Sequence, residues 1–367
     1  MAPLIKQFDN FPEFLCKVCV TAQHRVMLDQ VLEFFNIVPD YDLNIMKSDQ
    51  TLNEITSKVL TNIKPVLDDF QPDLVLVHGD TATTFAASLA AYYEKIDIGH
   101  IEAGLRTGNI YSPWPEEINR KLTTSIARLH FAPTLSSKKN LLFEGIDQNK
   151  IFLTGNTVID ALISVKKSII SDKSLADHLK KQFNFIDFSK QIILVTGHRR
   201  ENFGGGFVEI CKGISSIASN IPDVEIVYPV HLNPNVKEPV SKILGGFKNI
   251  HLIEPLDYLP FVYLMMHAKL ILTDSGGIQE EAPVLGKPVL VMRNNTERSE
   301  AVASNTAKLV GANCERIFSE TAELLKNESA YMQMSSAKNP FGDGSASFKI
   351  VTEIKKYFEL TLNSEEI

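Results

Sequence analysis

The chain has 367 residues, of which 44% are hydrophobic and 22% are charged, and its formal net charge at pH 7 is −7. A chain about twice as long as a typical domain of ~150 residues, with this composition, predicts two folded domains and excludes global disorder. The acidic balance excludes the basic surface with which proteins bind nucleic acid or membrane surfaces, and we expect neither partner.

The chain opens without the pattern of a leader or membrane anchor. Residues 1–14 lack the basic and apolar regions of a signal peptide, and no stretch reaches the ~18 apolar residues of a membrane span. Cys16 and Cys19 have CxxC spacing, but no second cysteine or histidine pair completes a zinc site. We therefore predict a cytoplasmic protein with no bound metal, in which Cys19 is a buried strand cysteine.

Short β-branched runs alternate with helical patterns along the chain. The runs predict strands near 17–21, 73–78, 97–101, 129–133, 151–154, 191–196, 224–230, 250–253, 270–273 and 288–292. The helical patterns predict helices near 24–36, 81–94, 116–128, 157–169, 206–219, 257–267 and 276–285. Nearly continuous apolar strands separated by helices are typical of parallel sheets that are covered on both faces.

A polar stretch over 171–190 separates two such series of strands and helices. We therefore predict two doubly wound, Rossmann-like α/β domains, over 1–168 and 190–350, which face each other across a cleft. Residues 351–367 are expected to form a C-terminal helix and tail that pack back on the first domain. Ligands of such sheets bind beyond the carboxyl ends of the strands, so the strand-to-helix junctions are the candidate sites.

Two junctions of the first domain carry carboxylates. Asp80 follows the strand at 73–78, and it is either a catalytic carboxylate or the N-cap of the next helix. Glu102 and Arg106 follow the strand at 97–101 in a glycine-punctuated loop. They have either proton and phosphate roles or form an ion pair with each other.

The start of the helix predicted at 116–128 is also acidic. Glu116 and Arg120 are four residues apart and therefore share one face of this helix. The acids of the first turn complement the helix dipole even without a function, so this segment alone leaves both interpretations open. We expect Glu117, which points elsewhere, to be a solvated charge.

The second domain offers an anion site. His198 opens a loop rich in arginine and glycine, where it either contacts a phosphate, transfers a proton or is merely a loop residue. Ser275 and two glycines stand where a helix begins, a pattern that lets backbone N–H groups approach a phosphate or that simply makes a tight turn capped by Asp274. Glu281 is a candidate acceptor from ribose hydroxyls, and Arg298 is a further anion contact.

Taken in chain order, these junctions resemble the non-hydrolysing UDP-N-acetylglucosamine 2-epimerases. The matching motifs are HGDT at 78–81, IEAGLRT at 101–107, PEEINR at 115–120, GHRREN at 197–202 and TDSGGIQEE at 273–281. They extend over essentially the whole chain, and five ordered motifs are highly specific.

The resemblance implies a GT-B fold of two Rossmann-like domains, a homodimer, and reversible conversion of UDP-GlcNAc to UDP-ManNAc without a dissociable cofactor. In that chemistry UDP leaves first, which gives 2-acetamidoglucal, and UDP adds back to give the epimer. The residues to which the resemblance gives roles in the chemistry are Asp80, Glu102, Glu116, Arg120 and His198. Those to which it gives roles in binding UDP are Ser275, Gly276, Gly277, Glu281 and Arg298.

Two features depart from the family pattern. Family members begin with a β-strand and a Gly-Thr-Arg-Pro-Glu loop, whereas Met1 falls where that loop ends, so we expect the first domain to lack a central strand and this glycine-containing loop. Some bacterial members also bind a second UDP-GlcNAc as an activator. The residues here that resemble that regulatory pocket are Gln23, His24, Gln50 and His231. Because Val26 and Asp49 stand where we expect polar or basic residues, we predict weakened or absent activation.

Other functions stay open at this point. A GT-B glycosyltransferase would have the same fold and nucleotide site, but it would need an acceptor groove and would not require the carboxylates of the first domain. A truncated, inactive relative would bind a UDP-sugar without exchanging its C2 proton. A hydrolysing epimerase would release free ManNAc, so the identity of the product distinguishes it.

Overall fold

The computed structural model describes residues 1–22, 25–45 and 50–365, which form two compact units. The first unit is Met1–Ala161 with Phe341–Ile367, and the second is Leu162–Pro340. We expected the boundary in the polar stretch 171–190, whereas the first unit ends earlier, inside a helix. Asp160 explains the position of this boundary, because its carboxylate accepts backbone N–H bonds from Ala346 at 3.2 Å and Ser347 at 2.8 Å.

The strands of the first unit are all parallel and lie in two sheets. The smaller sheet pairs β1 (Cys19–Val20) with β2 (Tyr41–Asp42). The larger sheet contains, in spatial order, β3 (Leu74–His78), β4 (Asp97–Ile101), β5 (Leu129–Ala132) and β6 (Ile151–Leu153). Among the described strands, β3 is bonded only to β4 and β1 only to β2. The expected lack of a central strand stays a prediction.

Helices cover the sheets of the first unit. They are α1 (Ala2–Phe8), α2 (Arg25–Phe34), α3 (Leu52–Phe70), α4 (Ala82–Tyr93), α5 (Glu116–Ile126), α6 (Leu135–Phe143), the start of α7 (Thr157–Ser171) and α16 (Ala346–Glu365). The C-terminal helix α16 packs on this unit because Ile350 and Ile354 share one apolar core with Leu4 of α1 and Phe131 of β5. This core explains why the chain returns to the first unit after leaving the second.

The second unit has one six-stranded parallel sheet. Its strands, in spatial order, are β12 (Ala307–Leu309), β11 (Val289–Val291), β10 (Leu270–Thr273), β7 (Gln191–Thr196), β8 (Val224–Pro229) and β9 (Ile250–Ile253). Central residues such as Ile193, Leu272 and Leu290 are fully buried, as expected of strands with helices on both faces. The parallel α/β fold predicted from the sequence is confirmed.

The helices of the second unit follow its strands. After α7 they are α8 (Lys173–Gln182), α9 (Gly205–Asn220), α10 (Pro234–Leu244), α11 (Tyr258–His267), α12 (Gly276–Glu281), α13 (Ser299–Ala303), α14 (Cys314–Lys326) and α15 (Glu328–Ser335). Over the described ranges, none of the helices of either unit has both the length and the apolarity needed to cross a membrane.

Candidate active site

Asp80 and Glu102 follow neighbouring strands of the first unit. β3 ends at His78 and β4 ends at Ile101, and these two residues are partners in the sheet register. The carboxyl ends of parallel strands lie at one sheet edge, so the two loops are adjacent. Glu102 has a φ of +62°, a left-handed conformation that costs a non-glycine residue about 1 kcal/mol. Strain of this kind in a polar loop points to a functional role.

Arg120, on α5, joins the two carboxylates, and we call these three side chains the carboxylate cluster. Arg120 Nη2 donates to Asp80 Oδ2 and, at 3.1 Å, to Glu102 Oε2, while Nη1 donates to the Glu102 carbonyl. The Arg120 side chain is only 5% exposed. Burial lowers the pKa of Arg120, but the charges of Glu102 and Asp80 outweigh burial and raise it overall. The cluster therefore holds two carboxylates around one buried cation.

Two alternatives to a role in the chemistry are wrong: Asp80 does not cap α4, and Glu102 does not form an ion pair with Arg106. Thr81, not Asp80, caps α4, because its hydroxyl accepts a backbone N–H of the first helical turn at 3.2 Å. Arg106 does not pair with Glu102. It forms a two-pronged ion pair with Glu144, with N···O distances of 2.8 and 2.7 Å. Asp80 and Glu102 are thus left to share Arg120.

The two acids at the start of α5 have different environments. Glu116 is half-buried, and within the described part of the chain its Oε2 accepts no hydrogen bond. Glu117, which we expected to be solvated, is instead 3% exposed. Its carboxylate accepts the backbone N–H groups of Thr107 at 3.0 Å and Gly108 at 3.2 Å. That prediction is wrong because the loop after β4 turns back over the helix and places two amide donors on Glu117.

Sequence reasoning missed three residues that support the cluster. Asn119 donates to the Asp80 carbonyl at 3.0 Å, and Asn156 donates to Glu102 Oε1 at 3.3 Å. His100 is fully buried in β4, and burial lowers its pKa to about 3, so its neutral ring donates from Nε2 to the Gly79 carbonyl at 2.7 Å. A histidine inside a buried strand and an asparagine three residues after the end of β6 were the available signals.

In the second unit, Asp274 organises the loop that carries His198. β10 and β7 are adjacent, with Thr273 opposite Thr196, so their following loops meet. The Asp274 side chain is fully buried, and its Oδ2 accepts the backbone N–H groups of His198 at 2.9 Å and Arg199 at 2.8 Å. The expected N-cap role belongs to Ser275 instead, which is the residue that precedes α12.

Two glycines follow Ser275 at the start of α12, and Gly276 lies close to two charged side chains. A Cβ atom on Gly276 would lie 2.9 Å from Glu297 Oε1 and 3.0 Å from Arg298 Nη1, closer than side-chain atoms normally approach. Arg298 is held against this turn by Glu280, at 2.9 Å from Nε, and by Glu297, at 2.9 Å from Nη1. A Cβ on Gly277 would have only a distant contact, at 3.9 Å from Glu281 Oε2. The turn thus leaves its backbone accessible beside a guanidinium.

Glu281 is a buried carboxyl at the end of α12. It is 6% exposed, and Tyr258 Oη donates to its Oε1 at 2.5 Å. Burial raises the pKa of Glu281 to about 7, with the neighbouring Glu280 adding to the rise and the Tyr258 hydrogen bond opposing it. A carboxyl with this pKa changes its charge near neutral pH.

The residues of the expected regulatory pocket are only partly visible. Gln23 and His24 lie outside the described residues. Gln50 is half-buried in the first unit. His231 is exposed in the second unit, and its ring stacks on that of His198 with centroids 5.7 Å apart. The regulatory pocket stays a prediction.

Among the residues that the structure describes, no group of three or more histidine, cysteine or acidic side chains is arranged to hold a metal ion.

The predicted site residues therefore fall into two groups. Asp80, Glu102 and Arg120 meet in the first unit with Glu116 one helical turn before Arg120. The second unit brings together the loop of His198, the turn of Ser275, Gly276 and Gly277, and the side chains of Glu281 and Arg298. The first group is suited to proton transfer, and the second to an anion with hydroxyl groups nearby.

Comparison with known proteins matches this arrangement to one family. A family model described as UDP-N-acetylglucosamine 2-epimerase matches residues 6–355. The UDP-N-acetylglucosamine 2-epimerase of Escherichia coli (strain K12) is 59% identical over 355 residues, which are 97% of this chain and 94% of that protein. A probable UDP-N-acetylglucosamine 2-epimerase of Ralstonia solanacearum is 60% identical over 358 residues, which are 98% of this chain and 96% of that protein.

Solved structures extend the comparison to the fold. The crystal structure of UDP-GlcNAc 2-epimerase from Neisseria meningitidis bound to UDP-GlcNAc has a TM-score of 0.91 at 52% identity, and the match covers 97% of this chain and 96% of that one. The Methanocaldococcus jannaschii enzyme in complex with UDP-GlcNAc and UDP has a TM-score of 0.79 at 36% identity, with coverage of 97% and 95%. Both matches extend over nearly the full length of each chain.

Proposed function

The chain belongs to the UDP-N-acetylglucosamine 2-epimerase family, and on that premise we propose that it binds UDP-GlcNAc and converts it reversibly to UDP-ManNAc by eliminating and re-adding UDP. It is an isomerase of the epimerase type, as the family is. A glycosyltransferase function is not supported. The observation that carries the proposed chemistry is the carboxylate cluster, in which one buried guanidinium contacts Asp80 and Glu102.

The proposed reaction begins with loss of UDP because the proton on C2 of the sugar is not acidic. No carbonyl is attached directly to that carbon, so simple deprotonation is unfavourable. When the bond between C1 and the phosphate oxygen breaks, the electron pair leaves with UDP, a base takes the C2 proton, and a C1–C2 double bond forms. Protonation of C2 on the opposite face and return of the UDP oxygen to C1 complete the epimerisation.

The first unit supplies groups for both proton transfers. We assign the acid and base roles to Asp80, Glu102 and Glu116 as a set. A base on one face and an acid on the other need at least two carboxyl groups, which this loop region holds within contact of one cation. Arg120 holds Asp80 and Glu102 beside each other through its Nη2 atom. Within the described chain, Glu116 Oε2 accepts no hydrogen bond, so this oxygen has no competing protein donor.

The second unit supplies groups for UDP. We propose that the Ser275 hydroxyl and the backbone N–H groups of Gly276 and Gly277 bind the diphosphate beside Arg298, since the Ser275 backbone N–H already donates to Thr273 Oγ1 at 2.9 Å. We also propose that Glu281 accepts from ribose hydroxyls. His198, on the neighbouring loop, takes part in the chemistry rather than in holding UDP. Strong anion binding suits this chemistry, because UDP is both the leaving group and the species that must be held for re-addition. No dissociable cofactor is required by these steps.

Proton NMR in D₂O tests the proposal with the full chain and UDP-GlcNAc. We expect the C2 proton signal to be replaced by deuterium while the signals of UDP-ManNAc appear. A folded protein that binds UDP but exchanges no C2 proton would contradict the proposed function, and would fit an inactive UDP-sugar-binding relative. Free ManNAc as the product would indicate hydrolysis instead.

Regulation and assembly are further parts of this proposal. We propose a cytoplasmic homodimer, supported by the family resemblance, and light scattering should give twice the chain mass of 40.9 kDa. We also propose weak or absent activation by UDP-GlcNAc, supported by Val26 and Asp49 at the positions that resemble the activator pocket. An assay that starts from UDP-ManNAc should then run without added UDP-GlcNAc. Strict dependence on added UDP-GlcNAc would contradict this.

A further inference from the structure

Asp274 is a fully buried carboxylate for which the proposed reaction has no role. It follows β10 directly, and its Oδ2 accepts the backbone N–H groups of His198 and Arg199 at 2.9 and 2.8 Å. The Asn202 amide also reaches this oxygen, at 3.5 Å. Three donors on one oxygen fully account for the fixed path of the His198 loop.

The second oxygen of Asp274 has a different environment. Within the described chain Oδ1 accepts no hydrogen bond, and it lies 3.5 Å from Nδ1 of the His198 ring. A buried carboxylate oxygen without a donor is costly, so a residue that only tethered a loop would be expected to have a single acceptor, as in asparagine or serine. The unused oxygen faces the imidazole ring of His198.

We propose that Asp274 is a positioning residue for His198: when substrate is bound, its Oδ1 accepts the Nδ1–H of the ring, which leaves Nε2 unprotonated and directed away from Asp274. A neutral imidazole carries one proton, so the bond made by one nitrogen decides what the other can do. With Nδ1 as the donor, Nε2 is free to accept a proton. The inference rests on the proposed function only in placing His198 in the active site.

The other groups around His198 are consistent with a neutral ring. Partial burial lowers the pKa of His198, the charge of Asp274 opposes this, and Arg199 and His231 lower it further. His231, whose ring stacks on that of His198, accepts the Asn233 backbone N–H on its own Nδ1 at 3.1 Å. That nitrogen therefore carries no proton and is not a competing donor. Asp274 is the acceptor available to the Nδ1–H of His198.

The tautomer of His198 can be measured without any substitution. Nitrogen-15 NMR of the full protein with UDP bound should show His198 protonated on Nδ1 and unprotonated on Nε2 at pH 7.5. Protonation on Nε2 alone would overturn the proposal. This result does not depend on turnover: the expected tautomer in a protein that never exchanges the C2 proton would contradict the proposed function and leave the positioning role intact.

The Asp274→Asn variant tests whether the pairing matters for the reaction. Its amide oxygen can still accept the two backbone N–H groups, but an NH₂ group then faces His198. We expect kcat to fall about 100-fold, within the range of general acid–base effects, while the Kd for UDP changes less than about twofold. The His198 tautomer should switch to Nε2–H. The matched control is Asn202→Ala, which removes a donor from Oδ2 and should leave the tautomer unchanged.

A double-mutant cycle separates positioning from simple loop stability. In a His198→Gln background, Asp274→Asn should cost less than about twofold in kcat, because the group through which it acts is gone. Effects that multiply in the double variant would overturn the proposal, since they would show that Asp274 acts independently of His198. If Asp274→Asn fails to fold, the tautomer of the unsubstituted protein still decides the question.

Discussion

The two units hold their charged groups in different ways. In the first unit, Arg120 is 5% exposed and its donors are used by Asp80 and Glu102, so the carboxylate cluster is already assembled. In the second unit, Arg298 lies at the surface of a glycine turn and is held by Glu297 and Glu280, acidic partners that a phosphate group can replace. Under the proposed function, the first site is built in advance for chemistry, and the second exchanges protein carboxylates for the phosphate groups of UDP.

This difference follows from what each site must do. Proton transfer at carbon needs acids and bases fixed to within a few tenths of an ångström, and burial with strained backbone at Glu102 achieves this. A site that binds, releases and again binds UDP needs affinity without permanent attachment. Under the proposed function, the ion pairs of Arg298 with Glu280 and Glu297 meet that need, because they hold the guanidinium beside Gly276 when no ligand is bound.

The largest effect expected from breaking this arrangement comes from Arg120→Met. It leaves two carboxylates together in a mostly buried place with no cation, and we expect about 3 kcal/mol less stability and a kcat lower by ~10³-fold. Urea unfolding and the C2 exchange rate measure the two effects. The control is Arg120→Lys. Lysine keeps the charge but lacks the planar guanidinium that contacts both carboxylates, so its stability and kcat should lie between those of the wild type and those of Arg120→Met. A wild-type rate in Arg120→Met would contradict the role of the cluster.

A smaller effect, on UDP binding rather than on the chemical step, is expected from Glu281→Gln. The loss of a charged acceptor should raise the Kd for UDP about tenfold, as measured by calorimetry. Because burial raises the pKa of Glu281 to about 7, UDP binding by the unsubstituted protein should also weaken as pH falls through 7, and this dependence should vanish in the variant. Binding that is equally pH-dependent in both proteins would refute the ribose role.

The ionisation of Glu281 should have the opposite effect on stability: it favours UDP binding, but it lowers the stability of the fold as the pH rises. The pKa of this carboxyl in the folded state, about 7, lies above the unfolded value of about 4.5. The stability that this raised pKa contributes is therefore fully present below pH 4.5 and is lost as the pH rises through 7. Glu281→Gln should therefore be more stable than the wild type at pH 8.5, by at most about 3 kcal/mol. Tyr258→Phe is the matched control: it removes the hydrogen bond that lowers this pKa, and should move the midpoint of the UDP-binding profile to higher pH.

The smallest effect is expected from Glu117→Gln, which tests the role of the buried Glu117 in the first unit. The amide can accept from only one of the two backbone N–H groups of Thr107 and Gly108. We expect kcat to fall about tenfold and stability to fall by about 1–2 kcal/mol, with UDP affinity unchanged. The control is Ser125→Ala on the exposed face of α5, which should change neither quantity. A solvated Glu117 would instead give no effect.

The sequence predicted the fold well because its strands are apolar over their full length. Every strand expected from those runs is present, although β1 is shorter than expected, and the residues that follow β3, β4 and β10 include the expected site residues. The two strands that were missed, β2 and β12, are only two and three residues long and lack a distinct apolar run. The domain boundary shifted because α16, far along the chain, packs against α1.

The contacts between the site residues were harder to predict. Glu117 and Arg106 were misread because their partners lie 10 and 38 residues away, on loops whose path no local pattern specifies. A cap was one of two interpretations of Asp274, because helix starts commonly hold an aspartate, whereas its donors come from the loop after a neighbouring strand. Periodicity predicts which residues reach a sheet edge, but not which side chains pair there.

The division of labour between the units can be tested with one variant, Glu102→Gln, by measuring the C2 exchange rate and the Kd for UDP on the same sample. We expect the C2 exchange rate to fall at least ~100-fold, while the Kd for UDP stays within about twofold of the wild-type value. If UDP affinity falls in parallel with exchange, the carboxylate cluster is part of the nucleotide site, and the separation of chemistry from UDP binding is wrong.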